Sequence, residues 1–269
     1  MPEGHVIHRL AREFNSRLRG SELTVTSPQG RFAPEAAEIT SHPLRLAEAH
    51  GKHLFIDVDA PTPRHIIHIH LGLIGTLRFE GESETRGQVR LHISDGATAA
   101  NLRGPQWCRL ISEVEQAEVI ARLGADPIRA DADPGPVRVR VQRSGRSIAS
   151  LLMDQSLFAG VGNIYRAETL FRLGISPFLP GRGLRTAEFT SIWNDLAELM
   201  RAGVEAGRID TVRPEHTPGA MGRAPRRDDH GGEVYAYRRQ GLPCLICGTE
   251  IQQRAMEGRN LFWCPTCQG

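Results

Sequence analysis

Pro2 and Glu3, directly behind Met1, could together act as a reagent. Methionine before proline is normally trimmed, so the mature chain is expected to begin with a free secondary amine beside a carboxylate. An α-amino group titrates near pH ~8 and a lysine near ~10.4, so close to neutrality far more of the terminal amine is unprotonated and nucleophilic. A secondary amine that attacks an aldehyde carbon stays charged as an iminium, which is an electron sink. Lys52 is the only lysine in the chain, against 32 arginines. An Arg-, Ala- and Gly-rich composition points to coding bias for the missing lysines, arginine serving wherever a plain charge suffices. The survivor stands out because an ammonium can release its proton and a guanidinium cannot. A compact proton donor suits acid–base chemistry.

Four of the five cysteines form two pairs, Cys244-x2-Cys247 and Cys264-x2-Cys267, with 16 residues between the pairs. Each pair brings two thiolates to one ion from a tight turn, and two pairs complete a tetrahedral sulfur shell suited to zinc. Redox-active pairs are the competing reading, which two pairs at this spacing at a chain end disfavour. Cys108 stands apart and reads as a buried small hydrophobe. His68 and His70 share one strand face and with His65 could suggest a second metal site. Their alternation with Ile67 and Ile69 favours a half-buried strand instead.

The elements that must position these groups follow from length and pattern. A chain of 269 residues, 40% hydrophobic and 24% charged, reads as a soluble globular protein long enough for two domains. No apolar run approaches a membrane span and the start lacks a signal-peptide layout, so the expected compartment is the cytoplasm. A formal charge of +2 is too mild to prove a polyanionic partner. Its distribution says more: Arg138, Arg140, Arg143 and Arg146 form an acid-free run, and Arg226, Arg227, Arg238 and Arg239 frame a second basic stretch. Beside a metal module these raise the odds of nucleic acid over a merely solvated surface.

Ile7, Leu10, Ala11, Phe14 and Leu18 recur at helical spacing, so the reactive terminus leads into an amphipathic helix. From about residue 21 to 112 the signals turn to strands: Leu23–Val25, Leu54–Val58, His65–His70, Leu77–Phe79, Val89–Ile93 and Leu110–Ile111. Lys52, after Gly51, falls at a sheet's rim. Residues 126–136 carry three prolines and read as a linker. Beyond it come helices at Ile148–Leu152 and Ile164–Phe171, and a third, capped by Thr186, through Val204. Ala159-Gly160-Val161-Gly162-Asn163 is a Gly-rich turn opening a helix, a place where exposed N–H groups suit phosphate. Residues 209–232 read as a mobile loop. The expectation is an α+β chain: a catalytic β-sandwich with a flanking helix over 1–125, the linker, a helical domain with the loop over 137–232, and the cysteine module over 233–269.

Taken together these landmarks resemble the formamidopyrimidine-DNA glycosylase/endonuclease VIII family over essentially the full length. The residues that carry the likeness are Pro2-Glu3-Gly4, Gly51-Lys52-His53-Leu54, His70-Leu71-Gly72-Leu73, Leu123-Gly124-Ala125-Asp126-Pro127, Gly160 to Tyr165, and Tyr237-Arg238-Arg239 before the cysteines. Arg259 lies where the family carries a finger arginine. The Pro-Glu-Gly start is closer to the endonuclease VIII branch, and the finer match is to its actinobacterial type.

The resemblance implies an N-terminal β-sandwich, a C-terminal helix–two-turn–helix domain and a β-hairpin finger holding one structural zinc. It implies a glycosylase and abasic-site lyase that flips damaged bases, chiefly oxidised pyrimidines, out of double-stranded DNA. Pro2 would attack C1′, Glu3 would act as general acid/base, and Lys52 would supply a proton or neutralise phosphate. Asn163 and Arg259 would hold phosphates, Leu73 would fill the hole left by the flipped base, and Arg103 would contact DNA from a second loop. Abasic DNA and single-stranded DNA are further expected partners of a monomer working at the nucleoid. His5-Val6 stands where the family often has a second acid. The runner-up reading is a protein of the same fold that binds damaged DNA without turnover.

Overall fold

The apolar stripe of the first twenty residues winds into helix α1 (Gly4–Leu18), with Ile7, Leu10, Ala11, Phe14 and Leu18 all buried. This computed structural model describes residues 2–81, 87–228 and 232–269. Two units divide the chain, Met1–Arg122 and Leu123–Gly269. In the first, α1 is followed by β1 (Glu22–Thr26), α2 (Ala33–Ile39), β2 (His42–His50), β3 (His53–Val58), β4 (Ile66–His70), β5 (Thr76–Glu80), β6 (Leu91–Ser94), β7 (Ala99–Arg103), β8 (Trp107–Ile111) and α3 (Glu113–Ala121).

The strands pair antiparallel in the order β5-β7-β6-β1-β2-β3-β4-β8. Leu54, Ile56, Ile67 and Ile69 from one half and Val25, Leu91, Ile93 and Leu102 from the other join the stripe of α1 in one apolar core. Asn15 pins α1 to β2 by a two-way clasp: its amide donates to Ala47 O and its carbonyl accepts from Ala47 N, both at 2.8 Å. Two strands lie outside the expected set, β2 and β7. Their sequences, HPLRLAEAH and AANLR, are alanine-rich and lack the β-branched signature, so tertiary packing decides them. The outer face of β3, β4 and β8 is closed at one end where Phe55, Ile66 and Ile111 meet Val119 and Ile120 of α3.

The second unit contains α4 (Pro134–Gln142), α5 (Ile148–Leu152), α6 (Asn163–Arg172), α7 (Thr186–Ala206), the single turn α8 (Pro218–Met221), and the hairpin β9 (Gln252–Met256)–β10 (Arg259–Trp263). Within the expected linker Asp133 caps α4 by accepting from Gly135 N. For α7 the cap is Arg185 rather than Thr186, its backbone N–H donating to Glu188 at 2.8 Å. The stretch expected as a mobile loop carries a 3-10 turn at Pro214–His216 and α8; Asp229–Gly231 lie outside the described residues. Ile164, Phe171, Ile192 and Leu196 of the helices share one core with Ile251, Leu261 and Phe262 of the hairpin module. Among the described residues no helix is long and apolar enough to cross a membrane.

Candidate functional site

In the first unit, Pro2 and Glu3 sit at the head of α1. Glu3 is the helix cap, in extended conformation, and its carbonyl accepts from Val6 N at 3.0 Å. The Glu3 side chain is 0% exposed. A carboxylate is rarely taken fully out of water unless it serves a specific end. The buried face of α1 and the Asn15 clasp fix the helix that this pair leads into. Met1 lies outside the described residues. His5 is buried on the first turn, and burial foremost, with His8 adding to it, pushes its imidazole down to about 3. A neutral ring therefore sits on the first turn of α1, directly ahead of Val6.

Lys52 is the second residue of the two-residue turn between β2 and β3, whose flanking pair is His50 and His53. Gly51 supplies φ +59°, a conformation that favours glycine, and so brings Lys52 to the sheet rim. Around it the outer face of the sheet carries an aromatic array. His53 Nδ1 lies 2.9 Å from His68 Nε2, and Trp107 Nε1 donates to the same nitrogen at 3.4 Å. An indole only donates, so His68 Nε2 is the acceptor and the shared proton sits on His53 Nδ1. His70 stacks on Trp107 at 4.5 Å and its Nδ1 accepts from Gly72 N. Burial first, then neighbouring imidazoles, lowers His53 to about 3; burial with His70 and Arg109 lowers His68 to about 4. His65 belongs elsewhere, 2.8 Å from Asp57.

These neutral imidazoles make folding pH-dependent. Unfolded histidines bind protons below about 6.5, whereas His5, His53 and His68 do not until about 3 to 4. The unfolded state thus gains protons first, and stability falls as pH drops from about 6.5 towards 4. Thermal melting across that range should show the decline, with a shallower slope for His5→Asn; a flat profile would contradict buried neutral rings.

Leu73 and Ile74 project from the β4–β5 turn at 58% and 84% exposure, Ile74 being the most exposed large hydrophobic residue among those described. Leu73 was expected there; Ile74 was not singled out. Arg103, expected on a DNA-contacting loop, is the last residue of β7. Its guanidinium grips Glu80 through two hydrogen bonds of 3.0 and 2.8 Å, which holds the Glu80 carboxyl below its usual range.

In the second unit, the Gly-rich turn delivers Asn163 as the first residue of α6. Its amide donates to Asn260 O at 3.0 Å, so the turn meets the hairpin one residue past Arg259. That hairpin turns on Glu257 and Gly258, with φ +49° and +73°, the left-handed pair of a tight two-residue loop. Two residues that the pattern reading missed complete this region. Arg166 is buried and donates both to Asn163 Oδ1 and to Asn260 O. Glu168, also buried, accepts from the backbone N–H groups of Tyr235, Ala236 and Tyr237 and from the Thr211 hydroxyl. Arginine and glutamate on a helix usually mark the solvent face, so the sequence carries no signal that distinguishes them.

The Sγ atoms of Cys244, Cys247, Cys264 and Cys267 all lie within 4.8 Å of one another. Two of the separations are 3.8 and 3.5 Å, close to the ~3.8 Å edge of a tetrahedron built on zinc–sulfur bonds of ~2.3 Å. Backbone N–H groups of Ile246 and Cys267 point at Cys244 and Cys264 sulfurs at 3.4 Å. The set fits one zinc ion. With four protein thiolates no position is left for water, so the ion is structural. Stripping it with a strong chelator should remove hydrogen-exchange protection from Leu261 and Phe262, and adding zinc should restore it. Unchanged protection would mean that the apolar contacts alone fold the hairpin.

Three family models match the chain: the formamidopyrimidine-DNA glycosylase N-terminal domain over residues 1–103, the formamidopyrimidine-DNA glycosylase H2TH domain over 123–213, and the zinc finger found in FPG and IleRS over 241–269. A protein named endonuclease 8 1 from Mycobacterium tuberculosis is 46% identical, with 100% of both chains covered. A formamidopyrimidine-DNA glycosylase from Thermus thermophilus is 35% identical over 74% of each chain. Among solved structures, Lactococcus lactis Fpg bound to abasic-site DNA superimposes with TM-score 0.80 at 22% identity, covering 99% of both chains. MutM in complex with carbocyclic 8-oxo-G containing DNA gives 0.79 at 22% identity, also over 99% of each chain. These structural likenesses establish the fold.

Proposed function

Because this chain belongs to the formamidopyrimidine-DNA glycosylase family, we propose that it excises oxidised bases, chiefly pyrimidines, through a Schiff base on Pro2 and then cuts the strand by β,δ-elimination. It is a DNA glycosylase of base excision repair with lyase activity at abasic sites. Its partner is double-stranded DNA carrying damaged bases or abasic sites, and single-stranded DNA is a secondary one. It works as a monomer at the nucleoid.

The unprotonated Pro2 nitrogen attacks C1′ of the flipped nucleotide, and the bond from C1′ to the base breaks, the base leaving with a proton. Glu3 protonates the ring oxygen as the sugar opens, which gives the iminium. That positive nitrogen acidifies the C2′ proton; its loss expels the 3′ phosphate, and a second elimination expels the 5′ phosphate. Lys52, held at the sheet rim beside neutral imidazoles, supplies a proton or neutralises phosphate. Asn163 and Arg259 hold phosphates and carry no base identity. Leu73 enters the stack as an apolar wedge. Arg103, two of whose N–H groups are engaged by Glu80, is a secondary DNA contact.

The observation that carries the reading is the fully buried Glu3 carboxyl at the start of α1, directly behind Pro2. Borohydride trapping on abasic-site DNA tests it. The expected result is a covalent adduct whose peptide maps to Pro2. No adduct, with Pro2→Gly behaving as the parent, would leave a damaged-DNA binder without turnover. An adduct at Lys52 would reassign the nucleophile.

A further inference from the structure

Arg166 is 1% exposed and heads the largest fully buried side chains of the described residues. A buried guanidinium must spend its donors on acceptors, because desolvation otherwise costs more than an apolar side chain of the same volume would. This one donates from Nη2 to Asn163 Oδ1 and, at 3.1 Å, to Asn260 O. Asn163 Nδ2 donates to the same Asn260 carbonyl. The three groups form a closed triangle between the first turn of α6 and the first residues of β10.

The triangle has two geometric consequences. An asparagine amide at a helix start can present either its oxygen or its nitrogen in a given direction. With Arg166 holding Oδ1, the amide has one orientation, nitrogen towards the hairpin. Asn260 follows Arg259, and Arg259 pairs with Met256 across the Glu257–Gly258 turn. Anchoring the Asn260 carbonyl therefore sets how far the start of β10 stands from the α6 N-terminus.

We propose that Arg166 is a positioning residue for phosphate recognition, acting through Asn163 and the finger hairpin without touching DNA. This rests on the reading of Asn163 and Arg259 as phosphate-holding groups. Lysine replaces it poorly: both bonds leave from Nη2, which stands one bond farther from the backbone than a lysine ammonium and is held in direction by the planar guanidinium.

The test is a double-mutant cycle on equilibrium affinity for a duplex with a tetrahydrofuran abasic analogue. Asn163→Ala and Arg166→Met are each expected to weaken binding about tenfold, the worth of one lost polar contact. The double variant is expected to be no weaker than either single one, because both remove the same contact. For Arg166→Met, which removes no group that touches DNA, the loss should fall on affinity, with the excision rate at saturating enzyme held within about twofold. Arg166→Lys, which keeps the charge and the fold, should behave as Arg166→Met. Losses that add in the double variant, or parent-like binding by Arg166→Lys, would overturn the proposal. If Asn163→Ala itself binds as the parent does, the phosphate-holding role of Asn163 is what fails.

Discussion

Glu3→Gln slows base excision by about 10³-fold, within the range for losing a positioned acid–base group, while affinity for abasic-analogue duplex stays within a few-fold of the parent. Glutamine matches glutamate in volume and fills the same fully buried space at the α1 cap. Being neutral, it is easier to bury than a carboxylate, so folding does not suffer. What it cannot do is carry a proton to the ring oxygen of the sugar. Single-turnover excision and equilibrium binding, measured on the same protein preparation, separate these two quantities. Equal losses in rate and affinity would place Glu3 in the scaffold rather than in the chemistry. A preformed abasic site offers a second readout. It bypasses glycosidic cleavage, so the Pro2 adduct should still form there in the variant, and no adduct would mean that Glu3 serves the amine.

Glu168→Gln is expected to destabilise the second unit by about 3–5 kcal/mol, the scale for a buried charge-assisted network left with mismatched donors. Both oxygens of Glu168 are fully used: Oε1 accepts from Ala236 N and Tyr237 N at 2.8 Å, Oε2 from Tyr235 N at 2.7 Å and Thr211 Oγ1 at 2.6 Å. An amide turns one of those acceptors into a donor facing donors. The two ends of the 211–237 stretch meet at this single carboxylate, so its loss should release both. A fall in melting temperature of about 10 °C is the measurable form for a unit of this size. Hydrogen exchange at Tyr235–Tyr237 should rise with it. A shift below about 2 °C would mean the backbone donors find other partners. The same saturation argues against any proton-transfer role for Glu168, despite its burial.

The proposed chemistry is read largely from the chain, because it depends on residue type and local spacing. Pro2 and Glu3 are adjacent, Lys52 is unique, and each cysteine pair is a short local turn, so no long-range knowledge is needed to suspect an amine, an acid, a proton donor and zinc. Helix α1 was legible too, since its buried stripe repeats at 3.6 residues. Legibility failed where a residue's part depends on distant neighbours. Strand β2 is hidden by its alanines and becomes a strand only because β1 and β3 flank it. The pattern His65–His70 has the composition of a metal site. Packing sends His65 to Asp57 and His68 to His53, distinctions of register that no local window holds.

Arg103, Arg166 and Glu168 draw the line most clearly. By type Arg166 and Glu168 read as ordinary charged surface residues, and Arg103 as a DNA contact. Only the folded chain pairs Arg103 with Glu80 across β5 and β7, carries Arg166 beneath the hairpin, and wraps residues 211 and 235–237 around Glu168. The sequence by itself determined which reactive groups this protein owns and the local turns that display them, because covalent order sets both. Tertiary structure decided which charges are buried and what they hold in place, because the free energy of a buried charge depends on partners that the chain brings from tens of residues away.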